Sequence, residues 1–357
     1  MSITYFSIIG GGWRAEFYLR IAQALPERFR VNGVLVRDPD KAKAFSARWG
    51  VPTCGTLDEL LASDQGSFVV TSVPVKANAG LLRELAERGV PALSETPPAP
   101  DVADMVELHE LTERGARIQV AEQYQFQPLH AARIAIANSG LLGRVTQAQV
   151  SAAHGYHGIS LLRKLLGITF EDAAITAKRF ESPIVSGPNR AGPPAEEKIV
   201  SAAQDIAWIE FGDRLAVFDF TGQQYFSWIR SQRVLVRGEK GEIDNDEVRY
   251  LKDFRTPVRL KLQRENTGED GNLEGYYHKG ILAGEQWIYR NPFAPGRITD
   301  DEIAIATCLE NMAAYAGGGP SFYGLPEASQ DHYLSLMLNR AIETGEKVMT
   351  TKQPWAE

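Results

Sequence analysis

The stretch that runs from Ile3 to Ala15 is Ile-Thr-Tyr-Phe-Ser-Ile-Ile-Gly-Gly-Gly-Trp-Arg-Ala. It starts as a short apolar run, which is typical of a buried parallel strand, and the run ends at three glycines. Behind the glycines, Phe17, Ile21 and Leu25 recur at helical spacing until Pro26 stops the pattern. The stretch therefore predicts a buried strand, a glycine turn and a helix.

The same alternation of apolar runs and helical patterns continues along the first third of the chain. Asp38 and Pro39, for example, predict an N-cap and a first-turn proline, and Gly50 predicts the end of that helix. Repeated units of this kind predict a parallel sheet covered by helices on both faces. We therefore predict an α/β fold with an N-terminal Rossmann domain, a doubly wound parallel sheet, over residues 1–123. Its later strands are expected at Val31–Val36, Phe68–Val73, Pro91–Ser94 and Arg117–Ala121.

The rest of the chain has a different pattern, in which strand-like runs follow one another through short turns. Gly212 and Asp213, for example, predict a hairpin turn between two runs. Residues 124–357 are therefore predicted to form a C-terminal α+β domain with a mainly antiparallel sheet. The runs are Val145–Ala153, Ala174–Phe180, Ile206–Phe211, Leu215–Phe220, Arg233–Arg237 and Val258–Arg264.

The composition is ordinary for a globular protein, with 44% hydrophobic and 23% charged residues. A net charge of −7 argues against nucleic acid or an anionic membrane as a partner. The six histidines and two cysteines, Cys54 and Cys308, form no metal-binding motif, so we expect no metal and two reduced thiols. No segment resembles a signal peptide or a membrane span, and we expect a cytoplasmic protein.

Gly10, Gly12 and Ala15 match the Gly-x-Gly-x-x-Ala pattern of dinucleotide-binding loops. The first glycine makes the tight turn, the second lets the backbone approach a pyrophosphate, and the small third residue packs helix on strand. A lone glycine pattern is a weak signal, but its place after the first strand of a strand–helix series strengthens it. We predict that this loop, with Trp13 and Arg14, binds a nicotinamide dinucleotide.

The residues that follow the second predicted strand leave the choice between NAD and NADP open. The acidic residue that would bind the ribose hydroxyls is missing, and Val36 stands in its place. Arg37 can pair with a 2′-phosphate, which favours NADP, or it is a solvated arginine that stacks on adenine or does nothing. Asp38 is better explained as the helix cap.

Four stretches of the chain resemble the Gfo/Idh/MocA family, the group of glucose–fructose oxidoreductase and inositol dehydrogenase. They are Gly10–Ala15, Val69–Pro97, His157–Gly167 and Ala341–Val348, and their order and spacing cover nearly the whole chain. The resemblance implies an NAD(P)-dependent oxidoreductase that acts on a small carbohydrate-like substrate: a sugar, sugar acid or cyclitol. It also implies that residues 124–357 serve substrate binding and oligomerisation, with a homodimer or homotetramer formed through the open face of the antiparallel sheet.

The resemblance further implies a catalytic lysine, aspartate and histidine, of which this chain keeps the histidine. Thr96 replaces the lysine of the Glu-Lys-Pro motif, and Ala153 replaces the aspartate. His157 is the predicted acid/base, because an imidazole with a reference pKa of about 6.5 can accept or return a hydroxyl proton. Thr96 is expected to donate a hydrogen bond, and His154 and Tyr156 to take part of the role of the aspartate.

Other contacts are predicted on both sides of the nicotinamide. Tyr124 and Gln125 follow the last strand of the nucleotide domain, where substrates of the family lie. His154 and Tyr156 are also expected to contact the substrate. The predicted cofactor contacts outside the glycine loop are Arg37, Ser72, Pro74, Asn78, Glu95 and Thr96.

Two further functions stay open. The sequence of Ser94–Pro97 is similar to the Ser-Glu-Val-Pro of NAD-dependent glycoside hydrolases, which oxidise a sugar transiently and then return the hydride. A redox-neutral hydrolase or lyase is therefore the second hypothesis, and the use of NAD by those enzymes favours NAD here. The third hypothesis is a non-catalytic sugar or cofactor sensor, because the expected lysine and aspartate are missing.

Overall fold

The computed structural model describes residues 3–63 and 66–356, and the first of its two large sheets is parallel. Within those residues its six strands lie in the order β3-β2-β1-β4-β5-β6, which is the order of a doubly wound Rossmann sheet. The strands are β1 Thr4–Ile9, β2 Phe29–Leu35, β3 Thr53–Cys54, β4 Phe68–Thr71, β5 Ala92–Ser94 and β6 Ile118–Val120. The helices are α1 Ala15–Ala24, α2 Pro39–Trp49, α3 Leu57–Ser63, α4 Val75–Glu87 and α5 Val102–Glu113. The predicted N-terminal fold is confirmed.

Strand β3 is the part of this sheet that the sequence did not predict. Its two residues, Thr53 and Cys54, pair with Val34 and Leu35 of β2. So short a strand contains no apolar run or alternation that would identify it.

The second sheet is mainly antiparallel, as predicted. In the described residues its eleven strands follow the order β16-β15-β14-β13-β12-β11-β7-β10-β9-β8-β17, and β10 runs parallel to β7. The predicted hairpin is confirmed, since Phe211 of β9 pairs with Arg214 of β10. The strands are β7 Val145–Ser151, β8 Ala174–Val185, β9 Ile199–Phe211, β10 Arg214–Thr221, β11 Arg233–Gly238, β12 Gly241–Asp244, β13 Glu247–Asp253, β14 Thr256–Asn266, β15 His278–Ala283, β16 Gln286–Arg290 and β17 Val348–Met349.

Helices cover one face of this second sheet. They are α6 Pro128–Asn138, α7 Gly155–Leu166 and α9 Leu325–Thr344. Ile136, Leu162 and Leu334 from these helices are buried in one core with Ile209 and Phe218 of the sheet. None of the helices in the described residues is both long enough and apolar enough to cross a bilayer.

Helix α8, Asp300–Ala316, returns to the first sheet. Its residues Ile303 and Met312 share a buried core with Tyr18 of α1. A capping box fixes its first turn: the Glu302 amide donates to the Thr299 hydroxyl at 3.3 Å, and the Thr299 amide donates to the Glu302 carboxylate at 2.9 Å. The C-terminal part of the chain therefore delivers the first turn of α8 to the nucleotide-binding half.

Gly158 in α7 has no room for a side chain, because a Cβ there would lie 2.5 Å from Cε2 of Phe218 and 2.8 Å from the Ala153 carbonyl oxygen. We expect Gly158→Ala to lower the free energy of unfolding by about 1–3 kcal/mol, the usual range for overpacking, in urea denaturation. Gly80→Ala is the matched control, because that helical glycine is exposed and a Cβ there would meet nothing within 4 Å. The control is expected to gain about 0.5–1 kcal/mol, and equal stabilities of the two variants would contradict the packing.

Candidate active site

The glycine loop after β1 has the geometry that a dinucleotide requires. Gly10 has a φ of +109°, and a Cβ there would lie 2.1 Å from the Ser72 carbonyl oxygen, so glycine alone fits. A Cβ on Gly12 would meet nothing within 4 Å, so the backbone is open on this side. Helix α1 begins directly behind, without a side-chain cap, and its N-terminus favours an anion there.

A cavity of about 680 Å³ extends from this loop to the end of β2. Its size is in the usual range of small-molecule sites, about 300–1,000 Å³. Four of the predicted cofactor residues, Gly10, Gly12, Arg37 and Pro74, are among those that line it. The backbone carbonyl of Ser72, another predicted cofactor residue, packs against Gly10 and so helps to shape the glycine loop.

A positively charged side chain, that of Arg37, lines the cavity just beyond the end of β2. Arg37 is exposed at the wall of the cavity, beside the buried Val36. The Asp38 carboxylate is committed to α2, where it accepts hydrogen bonds from the amides of Asp40 and Lys41 at 3.0 and 3.2 Å. Its predicted role as helix cap is confirmed.

Asn78 is buried beneath the site, with its whole amide engaged. Its Oδ1 accepts from the Thr71 hydroxyl at 2.7 Å, and its Nδ2 donates to the Ser94 hydroxyl and the Pro98 carbonyl, both at 2.8 Å. Asn78 thus joins β4 to the segment that carries Thr96. Its predicted contact with a cofactor stays a prediction.

Arg14 turns from the glycine loop into the centre of the molecule. Its Nε donates to the Glu95 carboxylate at 3.2 Å, and its Nη1 lies 3.5 Å from Oδ2 of Asp301 in α8. Glu95 also accepts a hydrogen bond from the buried Tyr18 hydroxyl. These contacts tie the loop, the end of β5 and the first turn of α8 together, and Glu95 acts as their anchor.

Glu122 and His157 form a buried pair that the sequence reasoning missed. Oε2 of Glu122 lies 2.5 Å from Nδ1 of His157, and its Oε1 accepts from the Tyr124 amide at 3.2 Å. Glu122 is 0% exposed and His157 is 6% exposed. A signal existed, since Glu122 directly follows an apolar strand, at the edge of the sheet where ligands bind.

Burial determines the protonation of this pair. It raises the pKa of Glu122 to about 8 and lowers the pKa of His157 to about 3, the latter with a further lowering by the Arg14 cation. At neutral pH the pair therefore consists of a protonated carboxyl group and a neutral imidazole.

Aromatic side chains surround His157. The Tyr124 ring centroid lies 4.6 Å from that of His157, and the His154 ring centroid lies 4.9 Å away. The Tyr225 hydroxyl accepts from the His154 amide at 3.0 Å and lies 2.5 Å from its Nδ1. Tyr225 belongs to a short turn after β10 that the sequence reasoning did not single out. Burial lowers the pKa of His154 to about 4, so it too is neutral.

The remaining predicted site residues lie at different depths. The Tyr156 ring is 5.3 Å from His157, but its hydroxyl lies in the interior, 3.4 Å from the Tyr323 hydroxyl. Gln125 is half-buried and donates to the Glu122 carbonyl at 3.3 Å. Thr96 is half-buried next to Glu95. The structure therefore groups Tyr124, Gln125 and His154 near His157, whereas the polar group of Tyr156 points away from it.

Comparison with known proteins supports a dinucleotide-binding N-terminal domain. Residues 5–122 match the model of the oxidoreductase family with an NAD-binding Rossmann fold, Gfo/Idh/MocA. The N-terminal domain is therefore similar to the NAD-binding domain of this family, in agreement with the resemblance of the sequence motifs.

Individual relatives agree with this assignment. An uncharacterized oxidoreductase of Rhizobium meliloti is 30% identical over 151 residues, 42% of this chain and 45% of the relative. Inositol 2-dehydrogenase 4 of Saccharopolyspora erythraea is 32% identical over 124 residues, 32% of this chain and 36% of the relative. The matched region thus spans less than half of these curated relatives. A levoglucosan dehydrogenase, solved with NADH and levoglucosan, shares the fold with a TM-score of 0.70 at 16% identity, over 98% of this chain and all of that one.

Arg37 provides a test of the cofactor site. We expect Arg37→Asp to weaken NADPH binding at least about tenfold, because a carboxylate would repel the 2′-phosphate, and to leave NADH binding within about threefold. Calorimetric titration measures both. Lys43→Asp is the matched control, with the same charge change on an exposed part of α2 outside the residues that line the cavity. Equal losses of NADPH affinity in the two variants would show that Arg37 has no specific contact.

Proposed function

We propose that this protein is a dehydrogenase that moves a hydride between NAD(P) and a CH–OH group of a sugar or cyclitol, with Glu122 and His157 as its acid/base pair. The observation that carries the proposal is their buried 2.5 Å hydrogen bond, at the edge of the sheet whose first loop fits a dinucleotide. Ligands of doubly wound sheets bind at this edge. The inositol and levoglucosan dehydrogenases among the similar proteins support a polyhydroxylated substrate.

The residues of the chain supply binding and proton transfer. A dinucleotide held by the glycine loop and the end of β2 would supply the hydride acceptor in oxidation and the hydride donor in reduction. As the hydride leaves, the hydroxyl proton passes to Nε2 of His157, because Nδ1 is engaged with Glu122, and the substrate becomes a carbonyl compound. Tyr124 and His154 flank the imidazole, and they form the walls against which the substrate would be held.

The number of protons on the Glu122–His157 pair determines whether the pair favours oxidation or reduction of the substrate. In the neutral pair one proton lies between Glu122 and Nδ1, and a second lies on Nε2. Loss of one proton leaves a carboxylate that faces the Nδ1 proton, and Nε2 is then free to act as base. The one-proton form therefore serves oxidation, and the two-proton form serves reduction.

Removal of either member of the pair tests this mechanism. His157→Ala is expected to lower kcat by about 100-fold or more, the usual contribution of a general acid/base, with little change in dinucleotide affinity. Absorbance of NAD(P)H in the presence of sugars and cyclitols measures the rate. His109→Ala is the control, because that histidine pairs with Glu113 on α5. A His157→Ala variant with full turnover would overturn the assignment.

The same assay has a pH signature. For alcohol oxidation, kcat/KM is expected to rise with pH through about 8, because the raised pKa of Glu122 keeps the base form scarce below that value. For carbonyl reduction it is expected to fall above the same pH. Glu122→Gln should remove this titration from both profiles.

A strict need for NAD without net NADH, together with glycoside release, would favour the redox-neutral hydrolase or lyase. Dinucleotide binding without turnover would favour the sensor.

We also infer a homodimer or homotetramer, formed through the face of the second sheet that the helices leave uncovered. Phe180 and Trp208 lie on this face, and they are 60% and 55% exposed. Burial of such side chains in an interface removes apolar surface from water. Light scattering of the purified chain should give a mass of two or four chains, and Trp208→Glu should shift it towards one. A monomer at micromolar concentration would contradict the inference.

A further inference from the structure

Asp301 brings a carboxylate into the candidate active site from the far end of the chain. It is the second residue of α8, whose capping box and buried face fix its position. Its Oδ2 lies 3.5 Å from Nη1 of Arg14, and its Oδ1 accepts from Nε2 of Gln127 at 3.3 Å. Its side chain is 31% exposed, against 20% for Arg14, 13% for Glu95, 8% for His157 and 0% for Glu122. Of these five groups, Asp301 has the largest exposed fraction.

The surrounding charges leave a negative excess. Arg14 is matched by Glu95, which lies closer to it than Asp301 does. His154 and His157 are neutral because burial lowers the pKa of each. Arg190 contributes a further cation, but its guanidinium carbon lies over the ring of Trp13, 3.9 Å from the centroid, and therefore on the cofactor loop. The charge of Asp301 is thus only partly balanced.

Asp301 also lies close to the residues that flank the acid/base pair. It accepts a hydrogen bond from Gln127, which directly follows the short turn that carries Tyr124. Burial and, to a smaller extent, the negative charge of Asp301 raise the pKa of Tyr124 and Tyr225, two residues near the imidazole. Arg14 and Gln127 contact the Asp301 carboxylate through nitrogen atoms, one at each oxygen. The carboxylate oxygens of Asp301 have further lone pairs, which can accept hydrogen bonds from substrate hydroxyl or ammonium groups.

We propose that Asp301 is a specificity-determining residue that selects uncharged or amine-bearing polyols and rejects those that carry a carboxylate. The proposal rests on the proposed function and narrows its substrate class. A partly buried carboxylate binds hydroxyl or ammonium groups by charge-assisted hydrogen bonds, whereas a second carboxylate beside it is repelled. Sugar acids are therefore excluded from the substrates that the sequence resemblance allows.

Matched sugars test this directly. The probes are glucose, glucosamine and glucuronate, with galactose, galactosamine and galacturonate as a second series, titrated calorimetrically into the protein saturated with NADH. In the unmodified protein the acid of a series should bind at least tenfold more weakly than its neutral or amine partner. Asp301→Asn keeps the shape and removes the charge, and it should bring this ratio to within threefold.

Asp300→Asn is the control, because the neighbouring carboxylate is turned to Arg264, which donates to it at 2.6 and 2.5 Å. This variant should keep the full discrimination. If Asp301 only supported the structure, Asp301→Asn would weaken all six sugars equally and leave the ratio unchanged, which would overturn the proposal. Tightest binding of an acid by the unmodified protein would overturn it as well.

The same titrations without dinucleotide separate the two proposals. Charge discrimination by a protein that binds no dinucleotide would overturn the dehydrogenase and support the role of Asp301. Normal NADH binding without affinity for any of the six probes would overturn the role of Asp301 and leave the cofactor site in place.

Discussion

The buried hydrogen bond between Glu122 and His157 is the interaction on which the site depends. Glu122 follows β6 of the first sheet, and His157 lies in α7, which covers the second. Without this bond, Oε2 of Glu122 and Nδ1 of His157 would each be buried without the partner they have here, which costs about 1–3 kcal/mol for each unsatisfied group. Paired, they satisfy each other, and the bond also fixes the distance between the two halves of the chain where a substrate would lie. The same hydrogen bond thus stabilises the fold and holds Glu122 and His157 in the geometry that the proposed proton transfer requires.

The features that were predictable from the sequence are local ones. The strand–helix alternation, the glycine loop, the cap at Asp38 and the histidine at the start of α7 each depend on residues close together in the chain. Glu122 stands 35 residues from His157, and Asp301 stands 287 from Arg14, so their pairing depends on how α7 and α8 pack. No periodicity reports that packing. The two-residue strand β3 and the parallel pairing of β7 with β10 were not predicted for the same reason. Each is defined by the strand with which it pairs, and a sequence pattern does not specify that partner.

A motif locates a backbone, and the direction of its side chains is a separate question. Arg14 belongs to the glycine loop, yet its guanidinium leaves the cofactor side for Glu95. Asn78 is one of the predicted cofactor contacts, but its amide is hydrogen-bonded to Thr71, Ser94 and Pro98. In both, a buried polar group must find partners, and those available lay in the interior. The predicted cofactor contacts of Arg14 and Asn78 stay predictions, because position in a motif does not fix the direction of a side chain.

The missing lysine at Thr96 can be understood in the same terms. Arg14 is the cation next to Glu95, and it forms ion pairs with both Glu95 and Asp301. Because these carboxylates balance its positive charge, Arg14 contributes little to the stabilisation of a negative oxygen on the substrate. A proton delivered to that oxygen is the other means of preventing the build-up of charge during reduction. The buried pair holds such a proton at neutral pH, because burial raises the pKa of Glu122. In the proposed mechanism, the Glu122–His157 pair would supply a proton at the point where a lysine would supply a permanent charge.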